Sequence, residues 1–178
     1  IPANSFSTAV QFAVLGDALN EFNETVTIDI DSVLFATEAN LPDGQRQTIT
    51  ITDNDAIPTV TLTVGNISIN ENAGTTTIIT TLSAVSGRDV TVTLAKSGTA
   101  VEGATDDYTL PNTLPTTIVI TEGALSASLV ITSVNDILNE ENETVIFDID
   151  TVTHGTEVGA QQRTVTIFDD DALPTVTL

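Results

Sequence analysis

The sequence has 178 residues and carries 25 Asp and Glu against 4 Lys and Arg, a formal net charge of −21, with one histidine and no cysteine. That balance repels nucleic acid and anionic membrane surfaces, and it excludes disulfides and thiolate metal sites, leaving packing or oxygen-bound hard cations to hold the fold. Apolar residues at 40% exclude a disordered acidic tail, while aromatics at only 4% predict a core of Val, Ile, Leu, Ala and Thr methyl groups, whose β-branching favours strands.

The N-terminal third reads as a partial copy of the C-terminal third. Asp17-Ala-Leu-Asn-Glu-Phe-Asn-Glu-Thr-Val26 returns as Asp136-Ile-Leu-Asn-Glu-Glu-Asn-Glu-Thr-Val145. Thr48-Ile-Thr-Ile-Thr-Asp-Asn-Asp-Ala-Ile-Pro-Thr-Val-Thr-Leu62 returns as Thr164-Val-Thr-Ile-Phe-Asp-Asp-Asp-Ala-Leu-Pro-Thr-Val-Thr-Leu178. The offset is 119 positions in the first block and 116 in the second, so the loop between them differs in length. Such a period is too long for a solenoid turn and suits one sandwich domain. Its phase makes residues 1–56 equivalent to the C-terminal half of a repeat, residues 57–171 one complete repeat, and residues 172–178 the start of another. Residues 1–56 are therefore expected to supply strands E, F and G of a sandwich whose other strands lie outside this chain.

Within the complete repeat, period-2 alternation and turn residues predict seven strands. A spans about Thr59–Ile69 and B about Thr75–Leu82, separated by Asn72-Ala-Gly74. C spans about Asp89–Ala95 after Ser86-Gly87, and a long polar loop then runs through Tyr108. D spans about Thr116–Ile120, E about Ser126–Val134 after Glu122-Gly123, F about Thr144–Val152 and G about Gln162–Phe168. The fold class is all-β, an immunoglobulin-like Greek-key sandwich in tandem. The linker Asp53-Asn-Asp-Ala-Ile-Pro58 has almost no slack. No apolar run approaches the roughly 18 residues of a membrane helix.

If strands alternate in direction, the AB, CD and EF loops and the end of G share one end of the sandwich. The acidic residues fall at those four places: Glu71, then Asp106 and Asp107, then Asp136 with Glu140 and Glu143, then Asp169, Asp170 and Asp171. Converging carboxylates repel unless a cation compensates. Calcium accepts six to eight oxygens in a flexible shell, magnesium demands a tighter octahedron, and zinc prefers nitrogen or sulfur. Calcium is the metal this pattern favours, set against a solvated acidic loop end. Asp29 and Asp31, with their counterparts Asp148 and Asp150, alternate with Ile and read as a solvated strand face.

The stretches Glu71-Asn-Ala-Gly-Thr75, Gly98-Thr-Ala with Asp107-Tyr108, Asn135-Asp-Ile-Leu-Asn-Glu-Glu-Asn-Glu-Thr144 and Val165-Thr-Ile-Phe-Asp-Asp-Asp171 together resemble the Calx-beta family. That family comprises calcium-binding sandwiches found in sodium–calcium exchangers, integrin β4 and large surface proteins. The resemblance implies calcium-ligand positions at Glu71, Asp107, Asp136, Glu140, Glu143, Asp169, Asp170 and Asp171. In the partial repeat it implies Asp17, Glu21, Glu24, Asp53 and Asp55. The family often opens the EF element with consecutive aspartates, whereas this chain has Asn135-Asp136 and Gly16-Asp17; Asn54 also stands where the second copy has Asp170. Fewer charges imply fewer ions or weaker binding.

With one histidine, His154, and no cysteine, a Ser-His-Asp or Cys-His site has nothing to be built from, so no enzyme activity is expected. Tyr108 is the sole tyrosine and tryptophan is absent, which argues against an aromatic carbohydrate platform. Asn23-Glu-Thr, Asn66-Ile-Ser and Asn142-Glu-Thr match the glycosylation pattern, at a frequency that chance explains in an Asn- and Thr-rich chain. The expected role is a calcium-binding structural module of a long extracellular adhesin, stalk or surface filament. Its expected partners are neighbouring domains of the same chain, other copies in a fibre, and an unidentified cell-surface or matrix ligand, with no nucleic acid and no membrane insertion in this segment. The alternative is a regulatory calcium sensor of the exchanger type.

Overall fold

The computed structural model describes residues 1–39, 45–111 and 115–178. Among these, every regular element is a strand: β1 Glu24–Ile28, β2 Gln47–Ile51, β3 Thr59–Val64, β4 Ser68–Asn70, β5 Thr75–Leu82, β6 Val90–Gly98, β7 Tyr108–Thr109, β8 Thr116–Ile120, β9 Ser126–Ser133, β10 Glu143–Thr153, β11 Thr156–Glu157 and β12 Gln162–Phe168. No helix among the described residues is long and apolar enough to cross a membrane. The chain divides into two compact units, Ile1–Ala18 with Phe22–Asn54, and Leu19–Glu21 with Asp55–Leu178.

The larger unit is an immunoglobulin-like Greek-key sandwich. One sheet has the order β4-β12-β10-β6-β8 and the other β11-β3-β5-β9-β7. Alternation drives it. Along Thr75–Leu82 every second residue is buried, and Val90, Val92 and Leu94 alternate inward from the facing sheet. The core joins Val60, Leu62, Ile78 and Ile131 of one sheet to Ile118, Val145, Phe147 and Val165 of the other. Aliphatic side chains fill most of it, with Phe147 and Tyr108 as the buried aromatics. Leu19–Glu21 belongs to this unit through a parallel bridge between Asn20 and Ser86 and a bond from the Gly87 amide to the Asn20 carbonyl at 3.2 Å.

Expected strands B, D and G coincide with β5, β8 and β12. β6 runs three residues past the expected end of C, and β10 adds one residue at each end of F. Strand A departs from expectation by splitting in two. β3 pairs antiparallel with β5, and the chain then changes sheets so that β4 lies parallel to β12. The cause is local: Thr76 Oγ1 accepts the Asn66 amide at 2.8 Å and donates to the Asn66 carbonyl at 3.0 Å. A side chain thereby takes both backbone groups out of the ladder. The two-residue strands β7 and β11 are too short to leave an alternation signal.

The smaller unit contains an antiparallel hairpin, β1 with β2. These strands correspond to F and G. The stretch equivalent to strand E, residues 7–15, forms no ladder, against expectation. In the complete repeat the equivalent strand β9 pairs with β5 and β7, and among the described residues of the smaller unit no strand stands in for either. Residues 172–178 likewise carry the alternation of strand A without a partner.

Candidate metal centre

Four segments of the larger unit meet at one end of the sandwich, and backbone hydrogen bonds fix each of them. The AB turn is held by Ser133, whose Oγ lies 2.7 to 3.0 Å from the carbonyls of Asn70, Glu71 and Gly74. A Cβ on Gly74 would sit 2.1 Å from the Asn70 carbonyl oxygen, so this turn closes only with glycine there. Glu71 is therefore buried, with its amide donating to the Phe168 carbonyl at 2.8 Å. Its Oε1 accepts the Asp136 amide at 2.8 Å. One residue thus ties the AB turn to both the EF segment and the end of β12.

The CD loop is pinned at its base by an ion pair between Lys96 and Glu102. Asp107 then folds the loop on itself, accepting the Val101 amide on Oδ2 at 2.5 Å, while its carbonyl receives the Val134 amide at 2.9 Å. In the EF segment, Asp136 Oδ1 accepts the Leu138 amide at 2.6 Å, a local turn characteristic of aspartate. Asn139 Nδ2 donates to Asp169 Oδ2 and to the Asp171 carbonyl, both at 3.0 Å. Asn142 Oδ1 receives the Asp169 amide at 3.3 Å.

Two carboxylate triads result: Glu71, Asp136 and Asp171, and beside it Asp107, Glu140 and Glu143, each with its ligand atoms within 4.8 Å of one another. Asp169 lies between them, lining a pocket with Glu71, Asp107, Glu140, Glu141, Glu143 and Ile167. Asp170 is exposed and belongs to neither triad. Asp169 Oδ1 and Asp171 Oδ2 are buried without any hydrogen-bond donor.

The electrostatics agree with the geometry. Burial, followed by the charges of Asp136, Asp171 and Asp169, raises the Glu71 carboxyl, partly opposed by the Asp136 amide. Glu140 is raised by the same kind of crowding: burial first, then Asp136, Asp107, Asp169 and Asp171. Asp171 is raised by burial and then by Asp169, Asp170 and Asp136. Glu143 is pushed up to about 7, by burial first and then by the hydrogen bond and charge of Asp107. Orphaned oxygens and mutually raised acids are what a hard cation would relieve. The residues present fit one, since they offer carboxylate oxygens and no nitrogen or sulfur.

The first repeat shows only part of this arrangement. Asn23 Oδ1 receives the Asp53 amide at 3.0 Å, as Asn142 does for Asp169. Asn20 Nδ2 reaches the Asp55 carbonyl at 3.3 Å, as Asn139 does for Asp171. Neither triad draws on Asp17, Glu21, Glu24, Asp53 or Asp55. The reason lies in the repeat phase: each triad needs one residue from the front half of its repeat, Glu71 or Asp107, and residues 1–56 contain no equivalent of either. Asn139 and Asn142 escape a reading of the sequence by charge, although their recurrence as Asn20 and Asn23 is the available signal.

The acidic and aromatic residues outside the centre have other surroundings. Asp148 is half-buried and Asp150 exposed, at an irregularity of the β10–β6 ladder between Ile149 and Thr151. Asp29 meets Arg46 at 3.6 Å. His154 sits at a turn with a φ of 61°, its Nδ1 2.9 Å from the Asp89 carbonyl. Tyr108 is buried and its phenol pushed up to about 12 by that burial, then by Glu102 and Asp107.

Fold and site together define an all-β sandwich module with a carboxylate centre at one end. No family model matches the sequence, and no curated protein does. Among solved structures, the chain is similar to the apo form of the Calx CBD1 domain, with TM-score 0.49 and 17% identity over 64% of this chain and 99% of that one. It is also similar to CBD12 from CALX1.2, with TM-score 0.48 and 17% identity, covering 58% of this chain and 41% of that one. The calcium binding domain CBD12 of CALX1.1 gives TM-score 0.46 and 19% identity, over 60% and 42%. The chain thus spans about two fifths of the length of the CBD12 structures.

Proposed function

We propose that this chain is a calcium-binding structural repeat of a long extracellular protein, an adhesin, stalk or surface filament, in which calcium at the G-strand end of each repeat stiffens the passage to the next. One observation carries the reading: Asp169 Oδ1 and Asp171 Oδ2 are buried with no donor, amid acids raised by burial and by one another. All of the donors are oxygens, which favours calcium over zinc, and the loops that carry them suit calcium's flexible shell better than magnesium's octahedron. Asp171 is also the last ligand before Ala172-Leu-Pro174, so an ion there ties the chain down where one repeat gives way to the next. Millimolar external calcium suits a site built on exposed loops.

The test is a calorimetric titration with calcium and with magnesium, paired with melting curves. Calcium at a hundredfold above Kd stabilises the bound state by about 2.7 kcal/mol. A midpoint near millimolar matches the stalk, and one near micromolar matches a regulatory sensor. Absence of both heat and melting shift would overturn the calcium reading.

A further inference from the structure

Three Asn-x-Ser/Thr triplets stand in the sequence, at Asn23, Asn66 and Asn142, and by pattern they are equal. The structure separates them. Asn23 and Asn142 occupy the same place in the two repeats, and the Oδ1 of each receives the amide of an aspartate after strand G, Asp53 at 3.0 Å and Asp169 at 3.3 Å. Glu143, beside Asn142, belongs to a carboxylate triad. That shared duty accounts for the recurrence of Asn-Glu-Thr without any sugar. Asn66 has no such duty. Its backbone amide and carbonyl are both held by Thr76 Oγ1, at 2.8 and 3.0 Å, while its side chain makes no hydrogen bond among the described residues. Asn66, Ile67 and Ser68 are all exposed. Backbone bonds fix the segment on either side, from the Gly65 amide to the Thr77 carbonyl and from the Thr166 amide to the Ile67 carbonyl, both at 2.9 Å. A firmly held backbone thus presents an unengaged side-chain amide to solvent.

We infer that Asn66 is an acceptor for an N-linked glycan, which Asn23 and Asn142 are not. The donor is an oligosaccharide carried on a lipid diphosphate, met with its transferase on the secretory route; this rests on the extracellular part of the reading proposed above and not on calcium. Asn66 Nδ2 bonds to the anomeric carbon of the sugar as that carbon's bond to the diphosphate oxygen breaks. The diphosphate leaves with the electron pair, and the amide proton passes to a base of the transferase. The Ser68 hydroxyl is the second element that the transferase reads. Transfer precedes folding, so the fold decides which glycans the finished chain can carry. A sugar on Asn142 would have to fit beside the bond to Asp169 and the Glu143 carboxylate, whereas one on Asn66 projects into solvent. The place also gives the glycan a role. Ile67 is 72% exposed beside the acceptor and Phe168 is 41% exposed opposite Asn70. Between them runs β4, the terminal strand of its sheet. Open edges with apolar side chains invite pairing between copies, and the charge that commonly blunts them is absent from Asn66–Asn70. A bulky, solubilising group at the head of β4 supplies that protection. It stands at the opposite end of β4 from Glu71, so the carboxylate centre stays clear.

The experiment secretes the full 178-residue chain from a eukaryotic cell line and maps occupancy by peptide mass spectrometry after peptide-N-glycosidase, which turns each glycosylated Asn into Asp. Most molecules should convert at Asn66, and few at Asn23 or Asn142. Asn66→Gln and Ser68→Ala should each abolish that glycan, and Ser68→Thr should keep it. An unoccupied Asn66, or occupancy at Asn23 or Asn142 equal to that at Asn66, would overturn the inference. Asn66→Gln should melt with the enzymatically deglycosylated parent, which separates loss of the acceptor from loss of the fold. Sedimentation reads the protective role. The deglycosylated chain should self-associate at concentrations where the glycosylated chain does not, and Ile67→Thr should reverse this; unchanged association would overturn the protective role alone. Calcium titration of the same secreted chain keeps the two readings apart. A millimolar midpoint with a bare Asn66 overturns this inference and not the calcium reading, and an occupied Asn66 without calcium heat does the opposite.

Discussion

Asn139 donates its side-chain amide to the backbone carbonyl of Asp171 at 3.0 Å, and Asn20 makes the same bond to Asp55 at 3.3 Å. A neutral donor thus holds the last acidic residue after strand G in place, where a lysine or arginine would have neutralised the cluster. The variant that tests this is Asn139→Ala, which removes two hydrogen bonds at a cost of about 1 kcal/mol to the metal-free fold. Because Asn139 orients Asp169 and Asp171 from behind, calcium affinity should fall about 10-fold or more, as it does when outer partners of metal ligands are removed. Titration calorimetry on the variant checks this, and unchanged affinity would show Asn139 to be a structural brace only.

Ligand removal should separate the aspartates of the triads from those outside them. Asp136→Ala combined with Asp171→Ala should abolish most of the calcium-induced rise in melting temperature. Asp170→Ala, outside both triads, should lower it far less, and Asp148→Ala should leave it nearly unchanged. Melting curves of these variants and the parent chain, with and without calcium, decide the order, and an equal loss for Asp170 and Asp171 would contradict the geometry.

The pH dependence has a definite sign. Glu143 is pushed up to about 7 in the folded chain, against an ordinary value of 4.5. A folded carboxyl that holds its proton more tightly than the unfolded one stabilises the fold below the unfolded value and loses that contribution as pH rises through about 7. The metal-free melting temperature should therefore fall between pH 5 and pH 8. Calcium competes for the same carboxylates, so its stabilisation should grow over that interval. Scanning calorimetry at both pH values, in chelator and in calcium, tests the pair of slopes; a metal-free melting temperature that rises with pH would refute the assignment.

Lys96 is the only lysine in the chain, and it is spent on Glu102 at the base of the CD loop. Lys96→Ala leaves a half-buried carboxylate without its cation, at a cost of about 2 kcal/mol. Since the same loop presents Asp107, calcium affinity should weaken as well. Lys96→Ala with Glu102→Gln should recover much of the stability, which denaturant unfolding of the single and double variants measures.

The strands are legible because alternation is a property of neighbouring residues. Thr75–Leu82 and Gln162–Phe168 announce themselves in eight residues or fewer. What stays hidden depends on contacts across the fold. Nothing near Asn66 shows that Thr76 will interrupt strand A, and nothing near Val10 shows that a strand-like stretch will find no partner. At the candidate site, strand parity brings the four acidic segments to one end, because strands A, C, E and G are separated by even numbers of reversals and so leave the sandwich at the same end. Parity carries no information about side-chain direction, so it cannot tell Asp170 from Asp169 and Asp171. Asn139 and Asn142 escape notice because a neutral amide has no charge to count.

The parallel pairing of β4 with β12 has a mechanical consequence. These are the first and last strands of their sheet in chain order, joined through Thr166 with Ser68, Ile167 with Ile69 and Phe168 with Asn70. Tension entering a repeat ahead of β3 and leaving beyond Phe168 pulls these two strands in opposite directions along their own length. Parallel neighbours loaded in this way slide rather than peel, and their evenly slanted bonds share the load instead of opening singly. The Glu71 amide, bonded to the Phe168 carbonyl at 2.8 Å, closes the row at its exit. Yielding then requires several bonds to fail at once, so the rupture force of each repeat is set by shear strength at this one seam rather than by the stability of its core.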